Sequence, residues 1–276
     1  MQAVSDRWTS PSGVLGAILR DTRERIARIR ASAIELEARA REAPTPASFT
    51  GALRSNRVAV IAEVKRRSPS KGAIKPGLSV AEQVAAYELG GAAAISILTE
   101  PMHFGGSGQD LEDAGRCTRK PLLRKDFVID PLQIVEARAL GAAAVLLIAR
   151  ALPQTLLAEL AAAADEHGIE VLIEVRTIGE LNRALGIDGA VIGVNNRDLE
   201  TLAIDTGVAS SLIPLIPAGR IAVAESGMAS VGDVQRAADS GADAVLVGSA
   251  VSAASDPTRA VADLAGVPRR PRDRRP

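Results

Sequence analysis

From residue 58 onward the chain repeats a single alternation. A short apolar run rich in Val and Ile is followed by a polar or glycine-containing turn, then by an alanine-rich stretch with helical periodicity. The apolar runs fall at 58–65, 94–100, 121–127, 144–150, 170–176, 189–197, 220–227 and 244–250. Each has strand length and little polar alternation, as expected of parallel strands buried on both faces. The stretches 79–90, 108–118, 130–140, 152–167, 177–186, 205–213, 230–240 and 256–265 predict helices. Ser79, Asp130-Pro131 and Asp256-Pro257 supply starts, and Gly90, Gly141, Gly168 and Gly241 supply stops.

Eight βα units over about 210 residues predict an α/β chain folded as a closed (β/α)8 TIM barrel. An open doubly wound sheet is the structural alternative, but its GxGxxG fingerprint is missing after Lys65. Ahead of the barrel, Val14, Leu15, Ile18 and Leu19, then Ile26, Ile29, Ile34 and Leu36, recur at helical spacing. They predict one or two amphipathic helices packed on the barrel. Residues 1–57 therefore read as a helical extension with a connector at 42–49, and residues 58–266 as the barrel. The Pro- and Arg-dense tail, 267–276, is expected to be disordered.

Composition narrows the function classes. The 276 residues are 47% hydrophobic and 24% charged, enough for a large core, and the formal net charge is +0. That balance argues against a broadly basic nucleic-acid binder. Cys117 is the only cysteine, so no internal disulfide forms, and no Cys/His cluster has zinc-ligand spacing. Neither a signal-peptide core nor a membrane-length apolar stretch is visible, so the expected compartment is the cytoplasm, away from any membrane.

Barrel enzymes carry their chemistry at the C-terminal ends of the strands. The first run ends Glu63-Val64-Lys65, and period-two alternation sends Glu63 and Lys65 to the same side. Lys125 closes the third run, Glu174 the fifth, Asn195 and Arg197 the sixth, and Glu225 the seventh. Any one of these could merely mark where a strand leaves the core. As a set they argue for a site, because the opposite strand ends offer fewer charges. The lysines sharpen this. Only five occur (Lys65, Lys71, Lys75, Lys120 and Lys125), against 28 arginines. Two of the five stand at strand ends, where a lysine, unlike an arginine, can serve as a proton donor tuned by burial.

Ser226-Gly227 and Gly248-Ser249 follow the seventh and eighth runs, the usual place for phosphate in a barrel. Phe104 and Phe127 stand near the mouth in a chain with only three phenylalanines, which points to an aromatic or planar substrate. The remaining features have blander readings. His103 and His167 are expected to be solvated, and Cys117 to be a small helix-face residue. Arg124 and Asp126 should point away from Lys125 into strand-to-helix contacts. Trp8 cannot be assigned to the site or away from it.

The stretches IAEVKRRSPSKG (61–72), SILTEPMHFGGS (96–107), LLRKDFVID (122–130), LIEV (172–175), GVNNRDLETL (193–202) and AESG (224–227) resemble the indole-3-glycerol phosphate synthase family. The resemblance runs from about residue 14 to 265. It implies ring closure with decarboxylation and dehydration of 1-(2-carboxyphenylamino)-1-deoxyribulose 5-phosphate, a phosphorylated aromatic amino-sugar, in tryptophan biosynthesis. It implies no metal and no organic cofactor, in a monomer or weak homo-oligomer. By the family's motifs Lys125 is the general acid, and Lys65 binds the substrate carboxylate or acts in dehydration. Glu174 and Glu63 move protons, and Asn195 orients the substrate. Ser68, Arg197 and Glu225 complete the site, while Pro69, Phe104 and Phe127 border the aromatic ring. Ser226, Gly227, Gly248 and Ser249 hold the phosphate. Ala250 and Val251 depart from the commoner family pattern and are expected to loosen the phosphate-side helix. Two other readings stay open at this point, phosphoribosylanthranilate isomerase and a catalytically silent sugar-phosphate-binding barrel.

Overall fold

A computed structural model describes residues 9–272. Its extension contains α1 (Gly13–Ile29), α2 (Ala33–Glu42) and α3 (Phe49–Leu53). The barrel opens with β1 (Ala59–Val64), followed by a two-stranded hairpin, β2 (Arg67–Ser68) and β3 (Gly72–Ala73). Then come α4 (Val80–Leu89), β4 (Ala94–Leu98), α5 (Pro101–Phe104), α6 (Gly108–Cys117), β5 (Leu122–Lys125), α7 (Pro131–Ala139) and β6 (Ala144–Ile148). The chain continues through α8 (Gln154–Glu166), β7 (Glu170–Val175), α9 (Ile178–Leu185), β8 (Val191–Asn195) and α10 (Gly207–Leu212). It ends with β9 (Ala222–Glu225), α11 (Val231–Asp239), β10 (Ala244–Val247), α12 (Ser249–Ser252) and α13 (Pro257–Ala265).

The eight long strands pair in parallel and close in the order β1-β10-β9-β8-β7-β6-β5-β4. They are buried almost throughout, which is why their sequences carry no alternation. Helix starts follow the capping chemistry: Ser79, Asp130 and Asp256 each accept a backbone N–H of the helix they open. Glycines Gly91, Gly141 and Gly241 turn the chain back toward the sheet with φ near +88° in each case (+87, +87 and +89). No helix among the described residues is long and apolar enough to cross a membrane.

The extension is part of the main core. Leu15, Ile18 and Leu19 are buried in it, each contributing roughly 1.5–3 kcal/mol if fully removed from water. Leu36 and Ala40 of α2 pack on Val135 of α7. The connector is held by Arg138, which donates to the carbonyls of Ala43 and Pro44 at 2.7 and 2.8 Å. Glu170 accepts the first two N–H groups of α3 from Phe49 and Thr50.

Three expectations fail. Ile34 is 84% exposed, because a 3-10 turn at Arg30–Ser32 resets the helical phase between α1 and α2. The beginning of the tail is bound: Val58 N–H donates to Val267 O at 2.9 Å, and Arg269 and Arg272 both pair with buried Asp243. A buried carboxylate needs such partners, and arginine supplies them. His103 is paired with Asp21 of α1 at 2.7 Å, not merely solvated. Trp8 and residues 273–276 lie outside the described residues.

Candidate active site

The strand ends converge on one cavity of about 320 Å³ at the C-terminal mouth, lined by every candidate site residue named above. Its floor is apolar, from Leu98 (β4), Leu146 and Ile148 (β6) and Leu246 (β10). The polar groups therefore stand on a dry base, where electrostatic interactions are stronger than in water.

At the centre is Lys125. Its ammonium donates to Glu174 at 3.1 Å and to Glu225 at 3.2 Å, with side chains only 14%, 4% and 1% exposed respectively. Burial alone would lower the lysine pKa, but Glu225, Glu174 and Glu63 outweigh it and hold the ammonium well above the ordinary lysine range. Tuning by burial, the reason for singling out lysine, thus runs opposite to expectation: the carboxylates hold the proton, so the ammonium is present as a donor but is a weaker acid than an ordinary lysine. Glu225 responds to the same crowding. Burial pushes it up, Lys125 pulls it down, Glu174 and Glu63 add to the rise, and it comes to about 7. Its second oxygen, Oε1, has no hydrogen-bond partner among the described residues. Gly193 of β8 makes that seat possible, since a Cβ there would lie 2.1 Å from this oxygen.

A second amine–carboxylate pair joins β1. Lys65 Nζ and Glu63 Oε1 are 2.5 Å apart, on the same side of the strand as alternation requires. Gly248, expected only to present its backbone to an anion, has a second use here. A Cβ at that position would lie 2.3 Å from Glu63 Oε1 and 2.9 Å from Lys65 Nζ. The opposite wall is aromatic: the Phe104 and Phe127 rings stand 6.0 Å apart, tilted by 36°. Ser68 and Pro69, in and beside the hairpin after β1, border the opening. That hairpin is clipped down by Arg66, which forks onto Asp110 at 2.6 and 2.8 Å.

The remaining end is built from turns. Ser226 and Gly227 both have positive φ (+61 and +77°), a costly conformation for serine. Asn196 holds it there: its Nδ2 donates to Ser226 O at 3.0 Å, and its Oδ1 accepts from Ala209 N–H. Gly248 precedes α12, so Ser249 opens that short helix beside the two turn residues. Val251 is fully buried and its carbonyl accepts from Gln83, so α12 is pinned where loosening was expected. Asn195 Oδ1 accepts from Arg197 N–H, and Arg197 donates to Leu202 O at 2.8 Å. Burial lowers the Arg197 pKa.

Behind Lys125, Arg124 and Asp126 point outward as alternation predicts. Asp126 accepts from Arg25 and Thr99, each at 2.6 Å, and from Arg124 at 3.1 Å. Burial would raise its pKa, but Arg124 and Arg25 bring it down to about 2. Helix α1 is thereby tied to the residue between Lys125 and Phe127. Sequence reasoning missed several residues at the mouth. Val14 and Ile18 of α1 line it, although their spacing reported only a buried helix face; Ser70 and Lys71 also reach it. Lys71, one of only five lysines, was the available signal.

Comparison with known proteins bears on this geometry. A family model for indole-3-glycerol phosphate synthase matches residues 15–264. The chain is 47% identical over 258 residues to the indole-3-glycerol phosphate synthase of Mycobacteroides abscessus, covering 92% of this chain and 94% of that one. It is 51% identical over 207 residues to that of Kineococcus radiotolerans, covering 75% and 76%. Among solved structures it is similar to a mutant tryptophan synthase α-subunit from Pyrococcus furiosus, with TM-score 0.59 and 16% identity over 78% of this chain and 100% of that one. The last likeness concerns the fold alone.

Proposed function

Because this chain belongs to the indole-3-glycerol phosphate synthase family, we propose that its barrel mouth converts 1-(2-carboxyphenylamino)-1-deoxyribulose 5-phosphate into indole-3-glycerol phosphate, carbon dioxide and water. The observation that carries the assignment of roles is the Lys125 ammonium, held between two buried carboxylates over an apolar floor. The substrate's aromatic ring lies against Phe104, Phe127 and Pro69. Its phosphate sits at the end formed by Ser226, Gly227, Gly248 and Ser249. Lys65 holds the ring carboxylate, and Ser68, Asn195 and Arg197 fix the sugar chain.

In the first step the ring carbon bearing the carboxylate attacks the ketone carbon, and Lys125 gives its proton to the ketone oxygen. The site supplies the two things such an attack needs, an acid at the oxygen and a positioned reactant away from water. Loss of carbon dioxide then returns the electron pair to the ring and restores aromaticity, so the step needs no metal electron sink. In the last step the new hydroxyl leaves as water, with its proton from Lys65 or Lys125. A carboxylate, Glu174 or Glu63, takes the proton released from the ring methylene. Glu225, 3.2 Å from Lys125 and half protonated near neutral pH, is suited to return a proton to that lysine. The enzyme works in the cytoplasm as a monomer or weak homo-oligomer, without metal or organic cofactor.

Turnover is read as indole fluorescence appearing from the carboxyphenylamino substrate. Its absence in well-folded protein would reject the activity in favour of a silent barrel, and turnover of phosphoribosylanthranilate would favour the isomerase reading. Lys125→Met and Lys125→Arg should each lower kcat by roughly 10² to 10⁴ with substrate still bound. Near-full activity in Lys125→Arg would remove the general-acid role, because a planar guanidinium with delocalised charge neither places a proton where the compact ammonium does nor releases one in turnover.

A further inference from the structure

The backbone carrying Glu63 and Lys65 runs past the end of β10, its neighbour on one side, while β4 still pairs with it as far as Val64. In β1, Ala59 N–H donates to Asp243 O on the β10 side, and Ala93 N–H donates to Val60 O on the β4 side. Successive residues therefore face alternate neighbours, and the odd positions 59, 61, 63 and 65 face β10. The β1–β10 register stops at Ala62↔Val247, because Gly248 leaves the sheet to enter α12. The Glu63 carbonyl and the Lys65 N–H thus face a strand that has already ended. Buried backbone groups of this kind need partners.

One side chain supplies both. Ser252 Oγ, on α12, donates to Glu63 O at 2.7 Å and accepts from Lys65 N–H at 3.1 Å. Tyr87 of α4 adds its hydroxyl to the same point, 3.0 Å from Glu63 O and 3.1 Å from Ser252 Oγ. Both residues are 0% exposed. One turn earlier on α4, Gln83 donates to Val251 O at 3.3 Å and fixes the helix that carries the serine. Gly248 at the start of this segment clears the space for the Glu63 and Lys65 side chains.

We propose that Ser252, supported by Tyr87, is a positioning residue for the Glu63–Lys65 pair: its hydroxyl completes the broken β1–β10 ladder and so fixes where both side chains enter the cavity. Ser252 touches no substrate; it acts through backbone. The inference rests on the reading above that Lys65 takes part in turnover.

Three substitutions test it, with kcat, KM and thermal unfolding measured on each. Ser252→Ala removes both bonds and should lower kcat on the order of tenfold with KM within about twofold, since a displacement of well under 1 Å acts on chemistry more than on binding. Ser252→Thr keeps the hydroxyl but adds a methyl to a filled site. It should unfold earlier than Ser252→Ala yet retain more kcat, an inversion that a merely structural role would not produce. Tyr87→Phe removes only the supporting hydroxyl and should lower kcat about two- to threefold; it decides the matter if the threonine variant fails to fold. Wild-type kcat in Ser252→Ala, or in a folded Ser252→Thr a loss as large as in Ser252→Ala, overturns the proposal. Lys65→Met separates the two layers. If it is impaired while Ser252→Ala is fully active, only this inference falls. If it is fully active while Ser252→Ala is impaired, the role of Lys65 falls as well.

Discussion

Adding one methyl group to the barrel interior at Gly193→Ala should disable the site without touching the substrate. Gly193 lies in β8 and is not among the glycines with positive φ, so alanine fits the backbone and the effect is steric alone. The new Cβ would stand 2.1 Å from Glu225 Oε1 and 3.3 Å from Leu172 Cδ2. To reach ordinary contact at 3.4 Å, the carboxylate must retreat by about 1.3 Å. Glu225 is 1% exposed, so it cannot simply swing into solvent. The ion pair with Lys125, now 3.2 Å, is then strained or lost, and the ammonium shifts toward Glu174. Displacement of this size costs up to about 10² in kcat, and the overpacking itself about 1–3 kcal/mol of stability. The assay is steady-state indole fluorescence with denaturant unfolding alongside. We expect kcat to fall 30- to 100-fold, roughly, with KM little changed. Shortening the carboxylate by one methylene restores the space, so Gly193→Ala/Glu225→Asp should be no worse than Glu225→Asp alone. A folded Gly193→Ala enzyme with kcat within twofold of wild type would refute the account of how Glu225 and Lys125 are held.

Two further outcomes follow from the same geometry. The Glu225 pKa rises from 4.5 to about 7 on folding, so this group favours the folded state at low pH and loses that contribution as pH rises through 7. Glu225→Gln should therefore gain stability relative to wild type between pH 5 and pH 8, by up to a few kcal/mol, read as urea midpoints at the two pH values; a constant offset would contradict it. Ser249→Asp puts a negative charge at the first residue of α12, where the helix tolerates it but a phosphate does not. KM should rise at least tenfold, roughly, with kcat nearly kept, and an unchanged KM would move the phosphate elsewhere.

What the amino-acid sequence determined by itself was periodic or local. Eight buried runs and eight helical stretches predicted the barrel because strand burial and helix amphipathicity are properties of a few adjacent residues, and capping at Ser79, Asp130 and Asp256 is equally local. Alternation about Val64 and Lys125 correctly sent Glu63, Lys65 and Lys125 inward and Arg124 and Asp126 outward, because a strand has only two faces. Once the barrel closes, its geometry brings the strand ends to one mouth, so the meeting of Glu63, Lys65, Lys125, Glu174, Asn195 and Glu225 at one cavity was legible before any distance was known, whereas Ser68 and Pro69 were named only through the family resemblance.

Tertiary structure decided everything that depends on partners far apart in sequence. Whether burial or charge sets the Lys125 pKa rests on Glu174 and Glu225, 49 and 100 residues away. The binding of the tail through Arg269 and Arg272 depends on Asp243 needing a counterion, which composition cannot reveal. Ile34 shows the same limit locally, since one 3-10 turn reset a phase that spacing assumed continuous. Gly193 and Ser252 look like ordinary strand and helix residues, and Gly248 offered only a phosphate-turn reading with no hint of the room it leaves for Glu63 and Lys65. Their meaning comes only from what lies opposite them, because packing and ladder completion are set by three-dimensional neighbours, whereas burial pattern is set along the chain.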